Sequence, residues 1–399
     1  MSRATDSTSP ASTLDLRPLL LVNMTCTLSM MAFVALIGPI SRLLHMATWQ
    51  AGAAVTVAGL VWVALARPWG RLSDRYGRRR VLLIGSAGFT VAYWLMCLFI
   101  DGALRWLPSA GVAFVGLVLV RGLIGAFYAA LPVAGNALIA DHVAPEQRAR
   151  SMALLGAANA VGLVLGPALA ALLARHSLSL PFYVLSLLPA LACLVLWRTL
   201  KPASQAMPHA PLPVRLGDPR LRRPLLVAFV AMLCVTLSQI TVGFFALDRL
   251  HLPAAEAAQA AGIALTCIGV ALILCQLLIR RLEWPPQRLI AVGASVSALG
   301  FAAAAWSASA PQLWACMFIA AVGMGMVFPA FSALAANAMH ASEQGATAGS
   351  VSAAQGMGAV VGPLLGTLLY DLDPRLPYLT VALSLLLVGL WPGTRRSQG

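Results

Sequence analysis

Three groups of residues carry chemistry that packing alone does not require. Arg121 stands in the run Leu117-Val118-Leu119-Val120-Arg121-Gly122-Leu123-Ile124-Gly125, a cation inside an apolar helix. A charge at that depth costs roughly 2.5–3.5 kcal/mol on insertion scales. Either a function or a route for its long stem to the headgroups has to compensate. Asp74 lies in Gly70-Arg71-Leu72-Ser73-Asp74-Arg75-Tyr76-Gly77-Arg78-Arg79-Arg80, one carboxylate among arginines. A basic stop after a helix explains the arginines but not the aspartate, nor Gly70 and Gly77, which predict a tight turn between them. The third group is Gly162-x-x-x-Gly166-Pro167 with its echo Gly358-x-x-x-Gly362-Pro363-x-x-Gly366. Small residues four apart let helices approach closely, and proline removes a backbone donor and bends the helix; ordinary helix packing explains either copy taken alone.

The elements that hold these groups follow from composition. Over 399 residues the chain is 60% hydrophobic and 10% charged, with a mean hydropathy of +0.85. Too little polar surface remains to cover a soluble sphere, which excludes a soluble enzyme, a disordered chain and a nucleic-acid module. Crossing about 30 Å of hydrocarbon takes about 20 apolar residues. Such runs predict an all-α integral membrane protein with twelve spans. They lie near 19–42, 49–67, 81–101, 112–140, 151–174 and 180–198, then 224–247, 258–280, 288–309, 311–338, 347–370 and 376–393. The runs are continuously apolar instead of alternating, so a β-barrel does not fit. All seven cysteines fall within apolar runs without CxxC spacing, and no histidine set accompanies them, so no metal site is expected.

Residues 1–18 are polar and precede a run too long for a signal-peptide core, which predicts a short uncleaved cytoplasmic tail. Of the 27 Lys and Arg, 21 fall on the side of that tail, five on the other (Arg42, Arg105, Arg175, Arg249 and Arg375), and Arg121 within a span. The positive-inside rule therefore puts both termini in the cytoplasm, and the net charge of +14 reports topology and not nucleic-acid binding. The polar, proline-rich stretch 200–223 separates halves at 19–199 and 224–394, with a second tail at 395–399. Gly166-Pro167 recurs as Gly362-Pro363 and Leu180-Pro181 as Leu376-Pro377, both at an offset of 196; Asn159 maps onto Gln355 and Gly162 onto Gly358. Several matches in one ungapped register predict a parallel repeat of two six-helix halves.

At the Gly70–Arg80 segment the chain closely resembles the major facilitator superfamily, whose first-half signature is G-x-L-x-D-R-x-G-R-R. The resemblance extends over essentially the whole chain and implies two pseudo-symmetric six-helix halves. It also implies a cytoplasmic latch in which Asp74 sits near the start of span 11, where a helix N-terminus favours a carboxylate. Arg75 or Arg78 then pairs with Asp141. The counterpart Arg280-Arg281-Leu282-Glu283 has lost the glycines and the aspartate, leaving the latch one-sided. Span 4 resembles the family motif whose arginine is linked to proton movement, which makes Arg121 the coupling candidate, although Ile124 stands in the glutamine position. Span 5 resembles the antiporter motif G-x-x-x-G-P-x-x-G-G of exporting members, with Ala170 and Ala171 replacing its last glycines. The stretch Thr48-Trp49-Gln50-x-Gly52-x-x-Val55-Thr56 is similar to siderophore-exporting members.

None of the 13 acidic residues and none of the six histidines lies at mid-depth in these spans. Asp101, Asp248, Asp74 and Asp141, at span ends, are then the remaining carboxylates for proton coupling. A cavity without a mid-depth acid suits neutral, zwitterionic or anionic amphiphiles better than lipophilic cations. Asn23, Thr27, Tyr128, Asn136, Asn159, Gln239 and Gln355 are candidate lining groups, and each can equally satisfy a neighbouring helix. No GxxxxGK[ST] loop is present, so an ion or solute gradient supplies the energy. Together these features imply a monomeric secondary exporter of a siderophore or drug-like molecule in a bacterial inner membrane, working by alternating access and proton antiport. Uptake of a small metabolite on the same fold is the alternative. No cofactor is expected, and a membrane enzyme lacks the clustered nucleophile and acid–base groups it needs.

Overall fold

The computed structural model describes residues 15–143, 145–200, 219–279, 284–339 and 343–391. Both tails, most of the connector and Arg280-Arg281-Leu282-Glu283 therefore fall wholly or mainly outside the described residues. Within them the chain is helical, with no strand. The first half comprises α1 (Arg17–Leu43), α2 (Thr48–Tyr76), α3 (Arg78–Trp106), α4 (Ala110–Tyr128), α5 (Ala130–His142), α6 (Pro145–Leu173) and α7 (Leu180–Thr199). The second comprises α8 (Arg222–Asp248), α9 (Ala254–Ile279), α10 (Pro286–Ala304), α11 (Ala310–Ala338), α12 (Gln344–Leu372) and α13 (Leu376–Leu390).

Among the described residues these helices form twelve apolar segments, of which eleven are long enough to cross a membrane and the twelfth, α13, has 15 residues; α4 and α5 count as one span, interrupted at Ala129. The cause is Pro132, which has no N–H to return to the Tyr128 carbonyl four residues back. A 29-residue helix is about 43 Å long, longer than the hydrocarbon it crosses. Large apolar side chains such as Leu98, Leu119, Leu191, Leu299 and Leu383 stay more than half exposed, as a lipid-facing belt requires. Trp106 and Trp306 mark one rim of that belt and Trp197 and Trp391 the other, where indoles settle at the headgroups.

The segment Gly70–Arg80 departs from expectation. Instead of a loop bracketed by two glycines, α2 runs on to Tyr76 and α3 starts at Arg78, so Gly70 is mid-helix and the turn is Gly77 alone. Gly77 takes φ +92°, where a side chain is strained. Helix α2 survives Pro68 because Trp69 docks its indole N–H on the Ala126 carbonyl at 2.7 Å, tying that turn to α4.

Glycine contacts expose the internal symmetry. A Cβ on Gly162 of α6 would meet Met24 O at 2.5 Å, Leu28 N at 3.0 Å and Thr27 Cβ at 3.1 Å, all on α1. On Gly358 of α12 it would meet Phe229 O at 2.4 Å, Leu233 N at 2.8 Å and Met232 Cβ at 3.2 Å, all on α8. The glycines are 196 residues apart and each pair of contacted residues 205 apart. Gly166 on Leu28 and Met31 repeats as Gly362 on Leu233 and Thr236 in the same two registers. The GxxxG pairs thus serve the same purpose twice: they seat α6 on α1 and α12 on α8.

Candidate functional site

Between the halves a second set of glycines obeys the same symmetry. Gly52 and Gly59 of α2 abut Pro363, Thr367 and Val360 of α12, while Gly262 and Gly269 of α9 abut Pro167, Ala171 and Val164 of α6. Here the glycines differ by 210 and their partners by 196. On the pseudo-twofold axis Gly38 of α1 meets its own equivalent, Gly243 of α8, and a Cβ on Gly38 would stand 2.8 Å from the Gly243 carbonyl carbon. We call the end at which α1 begins the inner end. All of these contacts lie on the outer half of their helices except at Gly269, which stands just inward of the middle of α9.

Polar contacts between the halves cluster there as well. Arg42, near the outer end of α1, forms an ion pair with Asp248, at the outer end of α8, at 2.6 Å. Tyr370 of α12 donates its hydroxyl to the same carboxylate oxygen at 3.1 Å, and the Arg42 guanidinium lies 5.3 Å from the Phe244 ring centre. The backbone N–H of Trp49 donates to Asp371 at 3.2 Å, and Thr56 donates to the Val360 carbonyl at 2.8 Å. Toward the inner end the surfaces part. On the face of α12 that carries Val360, Gly356 and Gly349 follow one and three turns further in, and a Cβ on either would meet nothing within 4 Å. The halves are clasped outside and open inside.

At the apex of that opening lies a cavity of about 160 Å³. Met30, Val55, Gly59, Trp62 and Val360 supply most of its apolar wall, and Arg121 and Tyr128 its polar one. Gly125 presses α4 onto the Ala58 backbone of α2, which brings Arg121 to the wall. Arg121 is 2% exposed and does not reach for headgroups. Its guanidinium stacks 4.4 Å from the Phe33 ring centre, and its Nε and Nη1 have no hydrogen-bond acceptor among the described residues. The Trp62 indole N–H is likewise buried and without a partner.

Three predicted lining residues from three helices meet beside this cavity. Thr27 donates to the Asn159 side-chain oxygen at 3.1 Å and lies 3.4 Å from the Tyr128 hydroxyl. The others are dispersed. Asn23 is buried and returns its amide to the Leu19 carbonyl of its own helix at 2.9 Å; Gln239 is buried in α8, Gln355 half-buried in α12, and Asn136 exposed on α5.

At the inner face Arg78 donates to Asp141 at 2.9 Å, both side chains being more than four-fifths buried. Its Nη1 reaches Ser73 at 3.2 Å and also pairs with Asp74. Arg75 is exposed and lies over the Tyr76 ring. The Asp74 side chain is 58% exposed, with Arg78 as its recorded ion-pair partner. The side chains at 344–346, where α12 begins, are outside the described residues, so contact with that helix start is not described. Sequence reasoning missed the outer clasp and Trp62. A signal for the clasp existed: Arg42 is one of five outer arginines, and Asp248 stands one residue away from its repeat-equivalent position.

The family model described as Major Facilitator Superfamily matches residues 19–349 and, again, 255–396. The tetracycline resistance protein, class C, of Escherichia coli is 29% identical, the match covering 80% of this chain and 79% of that protein. Multidrug resistance protein 1 of Bacillus subtilis is 24% identical over 87% of this chain and 88% of its own. A solved structure of a bacterial homolog of the human lysosomal transporter Spinster, inward-facing and occupied, superposes with a TM-score of 0.75. It is 14% identical and covers 96% of both chains, a likeness of fold.

Proposed function

This chain belongs to the Major Facilitator Superfamily, and from that premise we propose that it exports a drug-like or siderophore-like amphiphile by alternating access, driven by inward proton flow. The observation that carries the reading is the asymmetry of its central seam: the halves touch through glycines and an ion pair at one end and enclose an apex cavity open at the other. With the basic-rich side facing the cytoplasm, cargo enters the cavity from inside the cell, the inner ends close, and the outer clasp releases. Relatives described as drug-resistance proteins favour export over uptake.

In this cycle the Asp74 segment acts when the inner side is shut. The Asp74–Arg78 pair, whose carboxylate is more than half exposed, adds little to the inward-open state, since ion pairs open to solvent contribute about 0–1 kcal/mol. Asp74 is therefore free to meet the positive N-terminus of α12 once the halves approach. The buried Arg78–Asp141 pair anchors the same turn to α5. The protein acts as a monomer in the inner membrane, with both termini in the cytoplasm.

Inverted membrane vesicles energised with an inward-acid gradient test the direction. Radiolabelled tetracycline or a hydroxamate siderophore is expected to accumulate above vesicles without the protein, and a protonophore should abolish the difference. Asp74→Asn should insert normally yet accumulate less. Accumulation only in right-side-out vesicles would establish uptake instead, and undiminished transport by well-expressed Asp74→Asn would remove the latch.

A further inference from the structure

We infer that the apex cavity recognises an organic anion, with Arg121 as the residue that holds the acidic group. The inference deepens the export reading by naming a cargo class for the same cavity. It begins with a charge that has no local answer. A buried cation ordinarily survives only when paired, because desolvation otherwise costs several kcal/mol per ion. Arg121 is buried between α4 and α1 against the face of Phe33; the buried Tyr93 of α3 also lies near it, but that hydroxyl is spent on the Ser29 carbonyl at 3.0 Å.

The acids on the helices packed around it are engaged elsewhere. Asp101 of α3 pairs with Arg105 at 2.8 Å, Asp248 of α8 with Arg42 at 2.6 Å and Asp141 of α5 with Arg78 at 2.9 Å. Asp371 of α12 accepts the Trp49 amide at 3.2 Å. Nor does α1, the helix that carries Phe33, contain an acidic residue between Arg17 and Leu43.

The second observation is independent of charge. The indole N–H of Trp62, on the same wall, is also an unspent donor. Three buried N–H groups, all on these two cavity-lining residues, are without an acceptor among the described residues. Donors without acceptors fit a ligand that brings acceptors only, such as a carboxylate, sulfonate or enolate. They reject an ammonium by charge, and the only side-chain oxygen lining the cavity is the Tyr128 hydroxyl, so an ammonium would find one acceptor for its three protons. At about 160 Å³ the cavity is smaller than the roughly 300–1,000 Å³ of whole-ligand sites. It seats the acidic end, while the apolar body extends into the inner opening past Met30 and Val360. A membrane potential negative inside also drives an anion outward, in the direction the export reading requires.

The test uses three probes of one shape, 2-naphthoate, 2-naphthamide and 2-naphthylmethylamine, with purified full-length protein in nanodiscs, reading melting temperature and titrated binding. The naphthoate is expected to raise the melting temperature and to bind; the amide and the amine are expected to do neither at equal concentration. Arg121→Gln should weaken naphthoate roughly 10- to 100-fold, the worth of a charge-assisted hydrogen bond, and Arg121→Lys should recover part of it. Without ligand, Arg121→Gln should melt at or above the wild-type temperature, because it removes an unpaired buried charge. Equal stabilisation by the amide or amine, no response to naphthoate, an unchanged naphthoate affinity in Arg121→Gln, or a lower unliganded melting temperature in that variant would each overturn the inference. Binding is read without transport, so failure here leaves export standing, and failure of export leaves this result legible.

Discussion

Asp248→Asn is expected to lower export roughly 5- to 30-fold while the protein still folds and inserts. Asp248 is the shared acceptor of Arg42 from α1 and Tyr370 from α12, so it ties the halves together across the outer opening. Asparagine keeps the shape and removes the charge. Because both ion-pair side chains are about one-third exposed, solvent screens the pair, and about 1–2 kcal/mol is a reasonable loss. That is a 5- to 30-fold shift in the balance between the inward-open and outward-open forms. Transport needs both forms, so a protein that lingers outward-open turns over slowly. Initial export rates in inverted vesicles, normalised to the amount of protein inserted, measure the effect. Arg42→Gln should match it, and the double variant should be no worse than either single one, since all three lose the same contact.

A larger effect is expected from one methyl group. Gly52→Ala should reduce export at least tenfold, because its Cβ would stand 2.5 Å from the Pro363 carbonyl and 2.0 Å from Thr367 Oγ1 on the opposite half. The threonine side chain can rotate; the carbonyl is backbone and cannot. Overpacking of this kind costs about 1–3 kcal/mol or more, and here the strain exists only when the outer ends are together. Symmetry supplies the companion test. Gly262→Ala, the equivalent in the second half, would meet Pro167 O at 2.7 Å and Ala171 Cβ at 2.5 Å, so it should behave alike. Gly102→Ala, whose Cβ would meet nothing within 4 Å, should be silent. Transport rates together with size-exclusion profiles of the three variants separate a closure defect from misfolding.

The helices and their repeat were legible because both are written in long, redundant signals. Twenty apolar residues in a row leave little choice of structure in a bilayer, and Gly162, Gly166 and Pro167 recur at one fixed offset. Their contacts were not legible. The sequence marks these glycines as places where some helix comes close, but only the tertiary arrangement shows that α1 and α8 fill them. Gly52, Gly59, Gly262 and Gly269 were not legible as packing residues because they stand singly, seven apart, without the xxx-spaced motif that flags a packing seam; Gly52 drew attention only within the stretch similar to siderophore exporters. Gly70 misled for a different reason. With Pro68 nearby it reads as a helix breaker, yet docking of Trp69 onto α4 outweighs local propensity.

Arg121 divides along the same line. That it must matter follows from its cost in an apolar run; that no carboxylate answers it depends on where Asp101, Asp248 and Asp371 find partners, which the chain order does not reveal. The Arg42–Asp248 pair joins residues 206 positions apart in separate halves, beyond the reach of any local rule. Thr27, Tyr128 and Asn159 were singled out as polar groups in apolar spans, and the fold brings these three together while leaving Asn136 exposed.

The direct measurement of the central claim is a pair of spin-label distances in a cysteine-free background. One pair, at Leu43 and Arg249, spans the outer clasp; the other, at Arg71 and Ala348, spans the inner ends of α2 and α12. In the wild type the outer distance should be short and the inner one long. Introducing Asp248→Asn should lengthen the first and shorten the second in the same molecules, without any ligand. An outer distance that grows while the inner one stays fixed would contradict two halves rocking about a shared cavity.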